Sequence, residues 1–292
     1  MFEKLRELSG TEPVKQDDGS YTPSRLSLKV AAPSKTDYDH ASYPNALSDG
    51  KKKVLVLCTE ERFLTTANGE KFRTGNHPVE LFVVLLHLEK AGFGCDLATI
   101  SGAPVAIEDW AIPEQDEAVI GIMERYRPSL EKPLSLSEVI ASRLGKDSPY
   151  VAVFIPGGHG AILGLPESRE VKQVLRWAID SGKYIIAICH GPAAFLSLTL
   201  DENPQNFPFH GYKYSGFPDS GDKLLPCIGY LPGKMPWYFG EKLDDLGMKN
   251  VSNIPSGTVK EDRRLLTGDG PLAANALGEL AAKRLLEACS TK

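Results

Sequence analysis

The chain has 292 residues, of which 42% are hydrophobic and 24% charged, and its 33 Lys plus Arg against 38 Asp plus Glu leave a net charge of −5. That composition excludes wholesale disorder, and the acidic balance argues against general nucleic-acid binding, which rests on neutralising phosphates. No apolar run approaches the roughly 18 residues of a membrane span, and the five scattered cysteines lack a C-x-x-C pair and follow an amino terminus (MFEKLRELSG) too charged for an export signal, so they read as reduced thiols of a cytoplasmic protein.

Residues 1–50, rich in proline, serine, tyrosine and aspartate, show no sustained helical period and read as an arm that lies on something else. KVLVLC at 53–58 is a continuous apolar run, as expected of a strand buried on both faces. Asn68-Gly69 marks a turn in the loop that follows. A helix is predicted up to Gly92, with Asn76 or His77 as its cap, Pro78 at its first position and Glu80 in its first turn. CDLATI at 95–100 is the next strand. Residues 101–148, with Trp110, several prolines and helical patches at 117–126 and 136–144, break the alternation and read as an insertion that forms a cap.

The alternation resumes with YVAVFI at 150–155, which runs into a glycine loop. In 167–179, Val171, Val174, Leu175, Ala178 and Ile179 share one helical face. KYIIAIC at 183–189 is another buried strand, and GPAAFLSL starts the next helix. Short strands at 251–254 and 264–266 and a final helix reaching Leu286 complete the pattern. Strands alternating with helices imply an α/β fold with a parallel sheet covered on both faces. The expected division is an arm over 1–50 and a core over 51–292.

The sharpest chemical signal is the segment from Ile188 to Pro192. An apolar strand ends at Cys189, and a helix is predicted to begin within one or two residues. Such a turn holds the thiol at the carboxyl edge of the sheet, where doubly wound folds bind ligands, and near a helix amino terminus that favours a thiolate. His190 can act as general acid or base if an acid orients its other nitrogen. Glu80 either stabilises its helix start or, if the first and fourth main strands are neighbours, reaches the Cys189 sulfur. The amides of Gly157 and Gly158 either form an oxyanion hole or belong to a plain tight turn. No G-K-[ST] follows them, which excludes a phosphate loop.

Together these segments resemble the ThiJ/PfpI superfamily, that of the Parkinson-associated deglycase. The resemblance extends to the branch of a bacterial heat-shock holding chaperone that is also a glutathione-independent glyoxalase III. The residues that carry it are TGNHPVE at 74–80, IPGGHG at 155–160, CHGPAA at 189–194, FPD at 217–219, IGYLPG at 228–233, WYFGE at 237–241 and DRRLLTGDGPLAANALG at 262–278. It implies a flavodoxin-like, doubly wound parallel sheet sandwiched by helices, a small cap built from the arm and the 101–148 insertion, and a homodimer. It also implies Cys189 as nucleophile, His190 beside it, Glu80 as the nearby acid and Asp222 as the acid that orients His190, with Asp219 in reserve. A relative's zinc ligands, two histidines and a glutamate, fall on Glu89, Gly94 and Tyr126 here. Two of these are not ligand-type side chains for zinc, so no metal and no cofactor are expected.

The implied activity is attack of the Cys189 thiolate on a small dicarbonyl, methylglyoxal or glyoxal, ending in lactate or its analogue. Deglycase action on glycated proteins would use the same thiol. The alternatives are a holding chaperone for unfolded proteins without enzyme activity and a cysteine peptidase or amidase. Neither a specific nucleic-acid site nor a membrane contact is expected.

Overall fold

A computed structural model of the chain describes residues 10–290. The first nine residues of the expected arm lie outside the described residues. The arm carries β1 (Val14–Lys15), β2 (Tyr21–Thr22) and α1 (Arg25–Ala31), the last capped by Ser24, which accepts from the Ser27 amide. Next come β3 (Lys53–Leu57) and the hairpin β4 (Phe63–Thr65) and β5 (Lys71–Arg73), which turns at Asn68-Gly69. The middle of the chain forms α2 (Pro78–Lys90), β6 (Gly94–Thr99), α3 (Glu117–Glu131), β7 (Leu134–Ser135), α4 (Leu136–Arg143), β8 (Tyr150–Ile155), α5 (Arg169–Asp180) and β9 (Tyr184–Ile188). The remainder forms β10 (Lys213–Tyr214), α6 (Asp219–Leu224), α7 (Phe239–Asp245), β11 (Lys249–Asn250), β12 (Val259–Asp262), β13 (Leu265–Gly268) and α8 (Ala274–Ser290).

The main sheet has the order β12-β13-β9-β8-β3-β6-β7, and every pairing but β12 with β13 is parallel. Strand periodicity divides its side chains between two cores. Leu55, Leu57, Val153, Ile155, Ile185 and Ala187 face a core shared with Val171, Val174 and Leu175 of α5. Val54, Val56, Ala152, Phe154, Ile186 and Ile188 face the opposite core, shared with α2 and α8. This is the doubly wound α/β sandwich. Strand order reverses between β3 and β8, so the crevice at their carboxyl ends is the place where such sheets hold ligands.

Three sequence expectations meet a different structure. Residues 101–148 do not fold into a separate cap: α3 packs on α2, β7 extends the main sheet beside β6, and α4 packs on α5. Their apolar residues, Val119, Ile122, Leu136 and Val139, are buried in the two main cores. The small second sheet, β1-β2-β5-β4, instead joins the arm to the 63–73 hairpin. Val251–Ile254 is not a strand, and the segment after Cys189 is a 3-10 helix over Gly191–Thr199 rather than an α-helix.

The arm continues across the back of the core. Tyr43 OH lies 2.8 Å from Nδ1 of His87 in α2, and Nε2 of His87 lies 2.9 Å from Asn275 Oδ1 in α8. The same Asn275 oxygen accepts from the Asp39 amide.

Candidate active site

β9 ends at Ile188, and Cys189 turns the backbone with φ +58°. A side chain other than glycine in this left-handed region carries strain of about 1–3 kcal/mol and persists only where its surroundings enforce it. Here the Cys189 amide donates to Gly268 O at 2.8 Å, and the Cys189 carbonyl accepts from the Phe217 amide at 2.9 Å. The strand bonds thus continue up to the turn and lock it.

The sulfur lies 3.2 Å from His190 Nδ1. On the other side of the ring, His190 Nε2 lies 3.0 Å and 3.2 Å from the two oxygens of Asp222. Phe217 stacks on the imidazole at 5.1 Å between ring centroids. The structure therefore brings Cys189, His190 and Asp222 into one line. Burial works against charge on Asp222, but His190 and His159 outweigh it and hold its carboxyl below the ordinary value. Asp219, the reserve candidate, is occupied elsewhere: its carboxylate accepts from the amides of Gly240 and Glu241 at the start of α7.

Glu80 enters from the opposite side. It is fully buried in α2, whose residues from Pro78 to Leu88 are all covered by the sheet, α3 and α8. The first and fourth main strands, the condition set for that contact, are not neighbours, because β8 lies between β3 and β9. Glu80 nevertheless meets Cys189, because the residue between them has no side chain. A Cβ on Gly157 would overlap Glu80 Oε2 and the Cys189 Cβ. The Glu80 carboxyl faces the thiol and the Gly157 amide, neither at full hydrogen-bond geometry, so both its oxygens remain buried and short of a partner. Burial pushes Glu80 well above its ordinary value, and Glu108 adds to the rise. Burial and then Glu80 push the Cys189 thiol upward, while the Gly158 amide, which faces the sulfur, opposes this.

The two glycines therefore differ in use. The Gly157 amide addresses Glu80, and the Gly158 amide is the one directed at the Cys189 sulfur. Gly158 has φ +95° and sits against the Gly75 carbonyl, which only glycine tolerates without strain.

Three neighbours escaped the sequence reading as a group. His159, from the same glycine loop, places Nε2 3.2 Å from Asp222 Oδ1, so one carboxylate serves two imidazoles whose centroids lie 4.3 Å apart at a tilt of 39°. The only signal for it was its place directly after the glycines. His77 is buried with Nδ1 unpartnered, and burial lowers its pKa to about 3. Glu108 lies in an irregular stretch with no pattern to mark it, yet it is fully buried and bonded to the His159 amide. Phe72 of β5, Trp110 and Tyr230 pack on one another beside His159 and roof the cluster. Cys189 is only 5% exposed. A surface depression of about 340 Å³ between Ile140, Lys172, Arg176 and Trp177 lies away from these residues.

The residues at the relative's zinc positions do not suit zinc. Gly94 has no donor, Arg125 engages Glu89 at 2.6 Å, and burial raises the Tyr126 phenol, which interacts with Glu89 and Cys95. A guanidinium thus stands where a cation's charge would be needed.

The fold and this cluster define a doubly wound α/β protein with a buried cysteine, histidine and carboxylate at its strand-to-helix turn. The chain belongs to the DJ-1/PfpI family, whose pattern matches residues 72–202. It is 48% identical over 277 residues to a protein/nucleic acid deglycase, HchA, of Pseudomonas aeruginosa, covering 94% of this chain and 95% of that one. The HchA deglycase of Escherichia coli is 47% identical over 272 residues, 93% of this chain and 94% of the relative. A glyoxalase III from Candida albicans superposes with a TM-score of 0.62 at 21% identity, over 80% of this chain and 98% of that one. The Francisella tularensis rapid encystment protein does so with 0.65 at 22%, over 80% and 99%. These two likenesses speak for the fold.

Proposed function

We propose that the chain is a cysteine-dependent, cofactor-independent enzyme acting on small dicarbonyls, a glyoxalase III, with deglycase action on glycated proteins. The observation that carries this reading is the Cys189 sulfur held between the His190–Asp222 pair and the buried Glu80 carboxyl. The deglycase name of the 48% identical relative supports it.

In this mechanism the thiol gives its proton to His190, and Asp222 balances the resulting imidazolium. The sulfur bonds to the aldehyde carbon of methylglyoxal, the carbonyl π bond opens, and the oxygen takes a proton to give a hemithioacetal. The Gly158 amide supports the developing oxyanion. Glu80, held protonated by its burial, supplies that oxygen's proton, and the carboxylate so formed removes the proton from the former aldehyde carbon and returns it to the neighbouring carbon through an enediolate. The thioester that results is hydrolysed to lactate, and the thiol is restored. Glycated thiols and amines would be released through the same adduct.

The test is methylglyoxal consumption by wild type, Cys189→Ser and Glu80→Gln. Loss in both variants supports the assignment, and unchanged turnover in Cys189→Ser rejects it. A holding-chaperone activity is the second reading, favoured by exposed Leu26, Leu224 and Ile228 near the contact between arm and core. It should survive in Cys189→Ser, measured as suppression of aggregation. A peptidase reading ranks behind both, because the roofed site does not admit a long peptide. A cytoplasmic homodimer remains part of the proposal.

A further inference from the structure

The mechanism above uses two buried carboxyls, Asp222 beside the histidines and Glu80, but leaves a third, Glu108, without a role. Glu80 and Glu108 are both fully buried, and neither forms an ion pair with a lysine or arginine among the described residues. Glu108 Oε1 accepts from Thr74 Oγ1 at 2.9 Å and from the His159 amide at 3.2 Å, whereas Oε2 is buried with no partner. His77 Nδ1 is likewise unpartnered. Glu108 is tied to the nucleophile's partners through His159, whose amide donates to Glu108 and whose ring shares Asp222 with His190, beside the Cys189 sulfur. A buried oxygen with no partner in such a cluster is arranged for a visiting group.

We propose that Glu108 is a specificity-determining residue that makes this pocket accept uncharged 1,2-dicarbonyls and refuse analogues whose second group is a carboxylate. The inference rests on the reading of Cys189 as a carbonyl nucleophile. A neutral carbonyl oxygen can accept the hydrogen bond of a protonated Glu108. A carboxylate in the same place would add a further anion beside two buried carboxyls, Glu80 and Glu108, that no lysine or arginine neutralises.

Burial raises Glu108 to about 7; His159 and the Thr74 hydroxyl draw it down, and Asp109 adds to the rise. Glu80 and Tyr230 are the other titratable groups facing it. Below that value Glu108 is neutral and tolerates an anion. Above it an anion enters only if Glu108 takes up a proton. Discrimination should therefore grow by up to about tenfold per pH unit above about 7.

Glyoxal and glyoxylate test this, because they share an aldehyde and a similar size but differ in charge. Each is titrated as a protectant of Cys189 against iodoacetamide, with the Cys189 peptide quantified by mass, at about pH 6 and about pH 8. The ratio of their half-protecting concentrations cancels the titration of the thiol, which is common to both. In wild type the glyoxylate-to-glyoxal ratio should rise about tenfold between the two conditions, and in Glu108→Gln it should stay flat. A flat ratio in wild type, which needs no variant to fold, overturns the role of Glu108. So does a Glu108→Gln protein that keeps the wild-type rise. Failure of glyoxal to protect wild-type Cys189 at either pH overturns the nucleophile reading itself, and the proposal with it.

Discussion

In the proposed mechanism Cys189 owes its activation to its neighbours more than to its place on the chain. The sequence suggests a thiolate favoured by a helix dipole, but the turn leads into a 3-10 helix, and burial together with Glu80 pushes the thiol upward. The compensating group is His190, 3.2 Å from the sulfur and backed by Asp222. Asp222→Asn should therefore lower dicarbonyl turnover by about a hundredfold or more, since the imidazolium loses its counter-charge. A turnover within a few-fold of wild type would reject that role. Glu80 makes a separate prediction through stability. Its folded pKa is raised by burial, so the folded state binds more protons than the unfolded one above about pH 4.5. Stability should fall as pH rises from there toward the folded pKa. Glu80→Gln should remove that slope, leaving the melting temperature at neutral pH unchanged or higher while turnover collapses. A variant that melts earlier and turns over normally would point to a capping role.

At the scale of elements, the site depends on what β8 lacks at its end. Glu80 and Cys189 belong to units separated by an intervening strand, and Gly157 is the gap through which they meet. Gly157→Ala should displace one of them. We expect a loss of about 1–3 kcal/mol from overpacking, read as a lower melting temperature, and loss of most turnover even in the protein that remains folded. The alternation of buried strands and helices was legible in the sequence because a parallel sheet writes itself as apolar runs, as in 53–58 and 183–189. Cys189 was legible from its strand end, whereas the partnership with Glu80 required knowing the strand order. Glu108 was not legible, since it sits in an irregular stretch and gains its meaning from a backbone amide 51 positions away. The 101–148 segment misled because its prolines and short helices imitate an insertion, while its apolar residues feed the two main cores.

Across the whole molecule, the arm and the metal question lead to tests on the intact protein. The buried chain from Tyr43 through His87 to Asn275 ties the arm to α2 and α8. His87→Ala would leave the Tyr43 hydroxyl without its partner and open a cavity, and should destabilise the fold by about 1–3 kcal/mol, measured by denaturant unfolding. Dicarbonyl turnover should persist in strong chelator, because Arg125 already satisfies Glu89 and Gly94 supplies no donor. Activity lost on chelation and restored by zinc would reverse that conclusion.

The main sheet also has a bearing on self-association. A parallel sheet ends in two strands whose outer backbone groups invite any extended chain to add on. Here one end is β7, only two residues long, and the other is β12, which runs against its neighbour and carries Lys260, Glu261 and Asp262 in succession. Neither offers a long apolar template for strand addition. A protein proposed to handle damaged or unfolded chains at high local concentration would thus be guarded against copolymerising with them, and any grip it exerts would come from side-chain surfaces rather than from its backbone.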